Sequence, residues 1–286
     1  MSQRTDGVPK PDEISRLFGR RGALIGMLHL APLPGSPRYE PAEGMAAVLR
    51  QALAEARLLE DCGFDGVIIE NGWDIPFVKP DEVGPETAAA LSVVADRVRQ
   101  AIDLPIGINC LANAVHVSIA VAAATGAAFV RANQWVNAYI ANEGLIEGRA
   151  GAVTRYRRAI GANHVTVWAD VQVKLGSHSV TADRSLAEQA RDAAWFDADA
   201  LIVTGSRLAD PPAQDDLLAV RAATDLSVIA GSGVRSDNLG TILEHADAVI
   251  VGSALKDGDV WHGAMSKDAV LELARARDRF MGRGAS

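Results

Sequence analysis

The sequence predicts a protein of the α/β class, a closed (β/α)8 barrel of the TIM-barrel type. Eight short apolar runs alternate with eight longer segments whose apolar residues recur three or four positions apart. The links after the apolar runs are often long and rich in proline and glycine, the longest being 30–42, 71–84 and 132–146, whereas the links before them are brief. Such an imbalance is typical of a barrel that carries its functional site at one end.

The predicted strands are continuously apolar, as expected for parallel strands that are covered on both faces. In chain order they are 23–29, 66–70, 105–109, 129–131, 166–170, 200–204, 227–230 and 248–251. The predicted helices are 43–62, 85–102, 113–125, 147–160, 183–195, 213–224, 236–244 and 266–280. An open doubly wound sheet has the same repeat order, but eight complete units and the uneven loop lengths favour the closed barrel.

Residues 1–22 precede the first predicted strand and form an amino-terminal extension. Ile14, Leu17 and Phe18 follow helical spacing within it, which predicts a short helix over the floor of the barrel. Residues 23–286 are predicted to be one barrel domain, because α/β barrels of this length occur as a single unit.

The composition limits the classes of partner. The chain has 286 residues, a net charge of −8 and two cysteines. A negative net charge without a basic run argues against nucleic acid or an anionic membrane surface as a partner. Two cysteines provide no disulfide framework, which fits a reducing compartment. Because the first 22 residues lack the apolar core of a secretory signal and no apolar run is long enough to span a bilayer, we expect a cytoplasmic protein without membrane insertion.

Small residues follow three consecutive predicted strands, in the segments 204–206, 231–233 and 252–253. Glycine lets backbone N–H groups approach an oxyanion closely, and barrels of this class commonly hold phosphate on the loops after their last two strands. We therefore predict that a phosphorylated small molecule binds there. The predicted binding residues are Thr204, Gly205, Gly231, Ser232, Gly233, Gly252 and Ser253. The alternative is that these glycines only tighten turns.

Polar side chains stand where the predicted strands reach the same end of the barrel. The candidate catalytic residues are His29, Glu70, Asn109, Asp170 and Lys174. Asp170 is favoured as a catalytic base or metal ligand because it closes the apolar run 165–169, where a buried carboxylate is costly without a purpose or a partner. Glu70 satisfies the same argument. The alternative is that some of these side chains only hydrogen-bond the loops.

Two roles stay open for Lys174. A desolvated lysine forms a Schiff base with a carbonyl substrate, whereas an ordinary one pairs with a carboxylate or a phosphate. Other residues of types that bind a divalent metal are His29, His178, Asp170 and Glu70. Their spacing resembles no compact metal-binding motif. No cofactor is therefore predicted, and a divalent metal is kept as the alternative.

Two predicted mouth loops carry aromatic pairs, Trp73 with Phe77 and Trp135 with Tyr139. Exposed aromatic side chains at the mouth of a barrel act either as a lid over the ligand or as contacts between subunits. We expect a homo-oligomer, and both roles stay open for both pairs.

Five motifs resemble the BtpA/SgcQ family, which is described as a relative of the ribulose-phosphate-binding barrels. They are GMLHLAPLPGSP at 26–37, ENGWDIPF at 70–77, GLIEGR at 144–149, ADVQVK at 169–174 and VGSALK at 251–256. The resemblance extends over residues 22–280 and implies the same fold and a phosphate site. The chain departs from the family pattern at Leu175, where a histidine is frequent, and at Gly72 and Trp73, where a Phe-Gly pair is more usual. Both departures lie in mouth loops, which implies a substrate different from that of other members.

Two functions fit the sequence. The first is an enzyme, an isomerase or a lyase of the aldolase type, that acts on a small phosphorylated sugar or carbonyl metabolite. In it Asp170 or Glu70 moves protons. Lys174 or Asn109 stabilises a developing oxyanion. The second is a non-catalytic biogenesis or stability factor for a membrane complex such as a photosystem, as the name of the family implies.

Overall fold

Strands and helices alternate along the part of the chain that the computed structural model describes, residues 10, 12–259 and 263–282. In chain order the strands are β1 (Ala23–His29), β2 (Gly66–Glu70), β3 (Ile106–Asn109), β4 (Phe129–Ala132), β5 (Ala138–Ala141), β6 (Gly144–Glu147), β7 (Thr166–Val171), β8 (Ala200–Val203), β9 (Ser227–Ala230) and β10 (Ala248–Val251). The helices are α1 (Glu13–Phe18), α2 (Gly44–Asp61), α3 (Pro85–Ala101), α4 (Val115–Thr125), α5 (Ala150–Ala159), α6 (Leu186–Trp195), α7 (Gln214–Ala223), α8 (Leu239–Leu243) and α9 (Lys267–Phe280). Short 3-10 helices span Pro80–Glu82, Ser179–Thr181, Ser253–Leu255 and Asp257–Asp259.

Eight of these strands are parallel and close into a barrel in the order β1-β10-β9-β8-β7-β4-β3-β2. The predicted (β/α)8 barrel is therefore confirmed. β5 and β6 pair with each other as an antiparallel hairpin inside the 132–146 link. The sequence predicted a link without strands there, and that prediction was wrong. Both hairpin strands are partly exposed, so the search for continuously buried apolar runs, which found the barrel strands, did not find them.

Large side chains fill the inside of the barrel. The rings of Phe129 and Trp168 stack with their centroids 3.7 Å apart. Gly107 on β3 makes room for them, because a Cβ atom at this position would lie 2.2 Å from Cε2 of Phe129. Isoleucines from five further strands pack in the same cluster: Ile25, Ile68, Ile202, Ile229 and Ile250. Because the interior is packed, ligands have access at the ends of the barrel and not through it.

The helices cover the outer faces of the strands. α2 lies so close to β1 that a Cβ atom on Gly26 would be 2.5 Å from Cδ1 of Leu59, so glycine is required for this contact. The apolar side chains between helices and strands form one large buried cluster. Within the described residues, no helix combines the length and the apolar character that crossing a bilayer requires.

The helix α1 covers the amino-terminal end of the barrel, which we call the floor. Asp12 begins the helix, with its carboxylate accepting the N–H groups of Ile14 and Ser15 at 3.2 and 3.3 Å. Ile14 is fully buried under the barrel, and the ring of Phe18 meets the edge of Trp168 at a centroid distance of 6.2 Å. The helix therefore seals the floor with apolar contacts.

Three aspartates, which we call the floor aspartates, fix the starts of the strands. They are Asp65, Asp199 and Asp247, each directly before a strand. One oxygen of each carboxylate accepts an N–H from a neighbouring strand at 2.8 Å, the donors being Leu24, Val167 and Val228. Each carboxylate also forms an ion pair with an arginine, the partners being Arg277, Arg157 and Arg221. These bonds tie adjacent strands together at their amino-terminal ends.

Candidate active site

A cavity of about 250 Å³ opens at the carboxyl-terminal end of the strands, which we call the mouth. Its polar lining comes from the strand ends and includes His29, Glu70, Arg131 and Lys174. Loops after the strands form the rest of its wall. Sites for drug-sized molecules usually measure roughly 300–1,000 Å³, and this cavity lies just below that range, which suits a small metabolite.

The register of the first three strands brings three predicted residues side by side. His29 is paired with Glu70, and Glu70 with Asn109. Asn109 Nδ2 donates to Glu70 Oε2 at 2.5 Å, and His29 Nε2 lies 3.6 Å from Glu70 Oε1. Within the described residues Asn109 Oδ1 is buried without a hydrogen-bond partner. Asn109 itself does not line the cavity, so its role is to orient Glu70.

Burial changes the pKa values of two of these groups in opposite directions, and only the change in Glu70 moves the pKa toward neutrality. Desolvation raises the pKa of Glu70, although Arg131, Lys174 and the hydrogen bond from Asn109 act in the opposite direction. Desolvation, followed by the charges of nearby lysines and Arg131, lowers the pKa of His29 to about 3. The imidazole is therefore neutral at physiological pH. Glu70 has the raised proton affinity that a general acid or base needs.

Arg131 and Asp170 form a buried ion pair between neighbouring strands. Arg131 Nη2 lies 2.8 Å from Asp170 Oδ2, and its Nε donates to Oδ1 at 3.1 Å. Asn133 Nδ2 donates to the same carboxylate at 3.3 Å. The Asp170 side chain has no exposed surface and does not line the cavity, whereas Arg131 does. The geometry thus makes Asp170 the counter-ion of Arg131 and favours Glu70 over Asp170 as the group that meets a ligand.

Lys174 follows β7 and lines the cavity from the side opposite His29. Its backbone N–H donates to Thr204 Oγ1 at 3.0 Å, and its Nζ lies 3.5 Å from the carbonyl oxygen of Gly231. Desolvation and the charge of Arg131 lower the pKa of Lys174 to about 8, against the opposing charges of Asp170 and Glu70. An amine with this pKa is partly neutral near physiological pH, so both the nucleophilic and the electrostatic role stay open.

Five of the predicted phosphate-binding residues line this cavity: Gly231, Ser232, Gly233, Gly252 and Ser253. Within the described part of the chain, the backbone N–H groups of Ser232, Gly233, Gly252 and Ser253 donate to no protein acceptor. Gly233 has φ +62°, and a Cβ atom there would lie 2.1 Å from the nitrogen of Pro211. Only glycine fits at this position. The loops after β9 and β10, which we call the amide loops, thus present free donors to the mouth.

Thr204 and Gly205 lie elsewhere. They line a neighbouring cavity, and their polar groups are engaged within the fold. The N–H of Gly205 donates to Ser232 Oγ at 2.8 Å, while that hydroxyl donates to the carbonyl oxygen of Asp210 at 2.6 Å. Thr204 Oγ1 accepts the N–H of Lys174. These hydrogen bonds connect the loops after β7, β8 and β9. They occupy the hydroxyl group of Ser232, so Ser232 can offer a ligand its backbone N–H but not its side chain.

Trp73 and Phe77 are both half-buried, and Phe77 lines the cavity, whereas His178 is held by contacts within the fold. His178 Nε2 lies 2.8 Å from the carbonyl oxygen of Val173, and its ring stacks on Tyr139. Trp135 and Tyr139 are buried, so the expectation that this pair is exposed was wrong. Trp135 Nε1 donates to the carbonyl oxygen of Phe196 at 2.8 Å, which explains its burial beneath the loop. In the part of the chain that is described, no three His, Cys, Asp or Glu side chains are grouped as a metal-binding cluster.

Comparison with known families decides the classification. Residues 20–279 match the model of the BtpA family. The chain belongs to the BtpA family. An uncharacterized protein of Archaeoglobus fulgidus is 37% identical, over 88% of this chain and 97% of its own length. A BtpA-family protein of Synechocystis, the photosystem I biogenesis protein BtpA, is also 37% identical, over 85% of this chain and 84% of its own length.

Solved structures with the same barrel are more distant in sequence. Tryptophan synthase from M. tuberculosis superposes with a TM-score of 0.59 at 18% identity, over 93% of this chain and 99% of that one. The (S)-3-O-geranylgeranylglyceryl phosphate synthase of Thermoplasma acidophilum, in complex with sn-glycerol-1-phosphate, gives 0.57 at 12% identity, over 93% and 97%. The native KDPGal structure gives 0.53 at 18% identity, over 91% and 95%. At these identities the similarity establishes the fold alone.

Two parts of this BtpA-family site were not assigned from the sequence. Arg131 received no role in the sequence analysis, although an arginine inside the apolar segment Phe129–Ala132 is itself a sign of a buried ion pair. The β5–β6 hairpin was missed as well, and its turn contributes Asn142 and Glu143 to the wall of the cavity. Two short apolar segments around Asn-Glu-Gly are the signal that would have found it.

Proposed function

We propose that the protein is an enzyme that isomerises or cleaves a small phosphorylated carbonyl metabolite. The observation that carries this proposal is that Glu70 and Lys174 line one cavity, where burial raises the pKa of the carboxyl and lowers that of the amine. Paired groups of opposite type with pKa values moved toward neutrality are characteristic of acid–base sites. A protein without a reaction to catalyse has no need to bury such groups together at an open mouth.

In the proposed reaction Glu70 takes a proton from the carbon next to the carbonyl group of the substrate. The enolate oxygen then lies against the cationic side chains of Arg131 and Lys174, which stabilise its negative charge. Asn109 holds Glu70 in place, and Asp170 holds Arg131. Where that carbon also carries a hydroxyl group, the hydroxyl proton passes to the enolate oxygen, and return of the abstracted proton to the former carbonyl carbon completes an isomerisation between hydroxyaldehyde and hydroxyketone. The same cations also stabilise the enolate that forms when an adjacent carbon–carbon bond is cleaved.

The amide loops hold the phosphate in this proposal. Free N–H groups on glycine-containing loops form a favourable site for an oxyanion, and a substrate anchored there is fixed relative to Glu70. The synthase of Thermoplasma acidophilum, which has the same fold, is in complex with a glycerol phosphate, and this supports a phosphorylated ligand.

A non-catalytic assembly role is the second candidate, because the relative in Synechocystis carries the name of a photosystem I biogenesis protein. Such a role requires a surface that meets the membrane complex. The charged cavity favours the enzyme, since its groups face inward and not toward a partner.

The experiment that tests the proposal is capture of a ligand from a metabolite extract, followed by mass spectrometry. We expect a phosphorylated carbonyl compound on the wild type and on Gly161→Ala, and none on Gly233→Ala. Both glycines have positive φ, +72° and +62°, but a Cβ atom has open space at Gly161 and collides with the backbone at Gly233. Gly161→Ala therefore controls for backbone strain. A wild type that captures no phosphorylated compound, or captures one that it does not convert, would favour the assembly role.

Self-association and a cytoplasmic location belong to the same proposal. Neither depends on the cavity, and each has a direct measurement: sedimentation of the purified protein, and fractionation of the cells that express it. A monomer in sedimentation would remove the homo-oligomer from the proposal without affecting the chemistry.

A further inference from the structure

The cavity has an apolar side as well as a charged one. Residues that we call the apolar wall come from the loops after β2, β3 and β7: Ile75, Phe77, Leu111, Ala112 and Leu175. None of them takes part in the arrangement around Glu70. The chemistry proposed around Glu70 therefore gives these side chains no role.

The order of the strands fixes where this wall stands. β9 and β10, whose loops carry the free amides, are neighbours in the barrel. Across the axis from them stand β3 and β4, flanked by β2 and β7. The part of the apolar wall after β3, Leu111 and Ala112, therefore faces the amide loops across the mouth, and the parts after β2 and β7 lie to its two sides. Glu70, Arg131 and Lys174 lie at the ends of the strands, deeper in the barrel than the amide loops and the apolar wall.

Part of the wall is exposed to solvent. The side chain of Leu175 is 58% exposed. Leu208, which lies outside the wall in the loop after β8, also lines the cavity and is 44% exposed. Leu175 also has φ +67°, a conformation that leucine rarely adopts. A large apolar side chain held in that conformation at the edge of a cavity is well placed to cover an apolar ligand group.

We propose that the substrate carries an aromatic or branched aliphatic group at the end opposite its phosphate, and that the apolar wall binds this group. The inference rests on the proposed function, because the phosphate on the amide loops sets the direction of the ligand. A ligand anchored there extends over the reactive layer and reaches the wall with its far end. A fully hydroxylated sugar phosphate would bring hydroxyl groups against side chains that offer them no hydrogen bond, which is unfavourable.

The experiment compares three kinds of probe by isothermal titration calorimetry on the full chain. They are glycerol 3-phosphate, the phenylalkyl phosphates (phenylethyl, phenylpropyl and phenylbutyl phosphate), and the corresponding phenylalkyl alcohols. Burial of a phenyl ring is worth about 10- to 100-fold in affinity. We expect the best phenylalkyl phosphate to bind tighter than glycerol 3-phosphate by about this factor, and the alcohols to bind more weakly than their phosphates.

Two variants test whether the apolar wall is the source of the affinity gained from the phenyl group. Phe77→Ala and Leu175→Asn should remove most of the gain from the phenyl group and leave the affinity for glycerol 3-phosphate unchanged. Asparagine tolerates positive φ, so Leu175→Asn retains the loop conformation. Leu218→Asn is the matched control, because Leu218 is an exposed leucine on α7 outside the cavity. It should change neither affinity.

The outcomes separate this inference from the proposed function. Equal affinities for glycerol 3-phosphate and all phenylalkyl phosphates would overturn the apolar wall and retain the phosphate site. Alcohols that bind as tightly as their phosphates, with the loss in Phe77→Ala, would support the wall and overturn the phosphate anchor. No binding of any phosphorylated probe would overturn both.

Discussion

The two ends of the barrel treat buried charge differently. At the floor, each of the floor aspartates accepts a backbone N–H and pairs with an arginine, and the arginines of two pairs reach partly into solvent. At the mouth, the side-chain hydrogen bonds of Glu70 and Lys174 seen among the described residues are one from Asn109 to Glu70 and one of 3.5 Å from Lys174 Nζ to Gly231. The floor carboxylates serve strand pairing, whereas Glu70 and Lys174 keep capacity for further partners.

Both ends also contain buried polar atoms without a hydrogen-bond partner. In the described residues these include Asn109 Oδ1 and Asn133 Oδ1 at the mouth and Arg157 Nε at the floor, and of these three residues Asn133 lines the cavity. Buried polar atoms are nearly always paired in folded proteins, so exceptions near a cavity mark places where water or a ligand completes the network. Four variants test how the two ends differ in the compensation of their charged groups.

Glu70→Gln should have the largest effect, on turnover. The substitution keeps the shape of the side chain and removes its ability to exchange a proton. Positioned acid–base groups contribute about 10²–10⁴-fold to the rate, or roughly 3–5 kcal/mol of barrier. Steady-state kinetics with the captured substrate measure the loss, and thermal unfolding of the same preparation confirms an intact fold. Turnover at the wild-type rate would exclude Glu70 from the mechanism.

Asp170→Asn should lower stability by about 3–5 kcal/mol, because it leaves the buried guanidinium of Arg131 without its counter-ion. Urea unfolding measures the change. The double variant Arg131→Met, Asp170→Asn is the control, and it should recover part of the lost stability since no unpaired charge remains. An Asp170→Asn protein as stable as the wild type, but without turnover, would return Asp170 to the chemical step.

Lys174→Met should remove a pH dependence of stability. The folded pKa of Lys174 is about 8, below its ordinary value of 10.5, so between these values the unfolded chain binds more protons than the folded one. The stability of the wild type relative to Lys174→Met therefore rises as the pH increases from 8 to 10.5, by at most about 3 kcal/mol. Chemical denaturation of both proteins across this range gives the difference, and parallel curves would contradict the lowered pKa.

Asp247→Asn should have the smallest effect, a loss of about 1–2 kcal/mol. The carboxylate loses its charge, but the arginines that it pairs with, Arg21 and Arg221, are partly exposed and regain water. The affinity for glycerol 3-phosphate should not change. A larger loss than that of Asp170→Asn in the same urea assay would show that the two ends do not differ as proposed.

The sequence predicted the barrel because its eight repeats and uneven loops are local features. It also predicted that His29, Glu70 and Lys174 lie at one end, since strand ends converge in a parallel barrel. The direction in which each polar side chain points could not be predicted in this way. Asp170 and Glu70 both close apolar strands, yet one faces a neighbouring arginine and the other the cavity.

The same limit applies to the predicted phosphate residues. Thr204 and Gly205 have the composition of an anion-binding turn, but the hydroxyl of Ser232 occupies the N–H of Gly205. That hydrogen bond joins residues 27 positions apart in the chain, and no local pattern reveals it. Gly231 and Gly233, by contrast, line the cavity as the strand-end pattern predicts.

The β5–β6 hairpin also matters for engineering. It contributes Tyr139, Asn142 and Glu143 to the cavity wall, while the eight barrel strands pair among themselves without it. Its middle is tied to the loop that carries Lys174, because Ile140 and Ser177 exchange two hydrogen bonds of 3.0 and 2.8 Å. We therefore expect a laboratory graft of a different hairpin between β4 and α5 to change the lining of the cavity and the placement of Lys174 together, and to leave the pairing of the barrel strands in place.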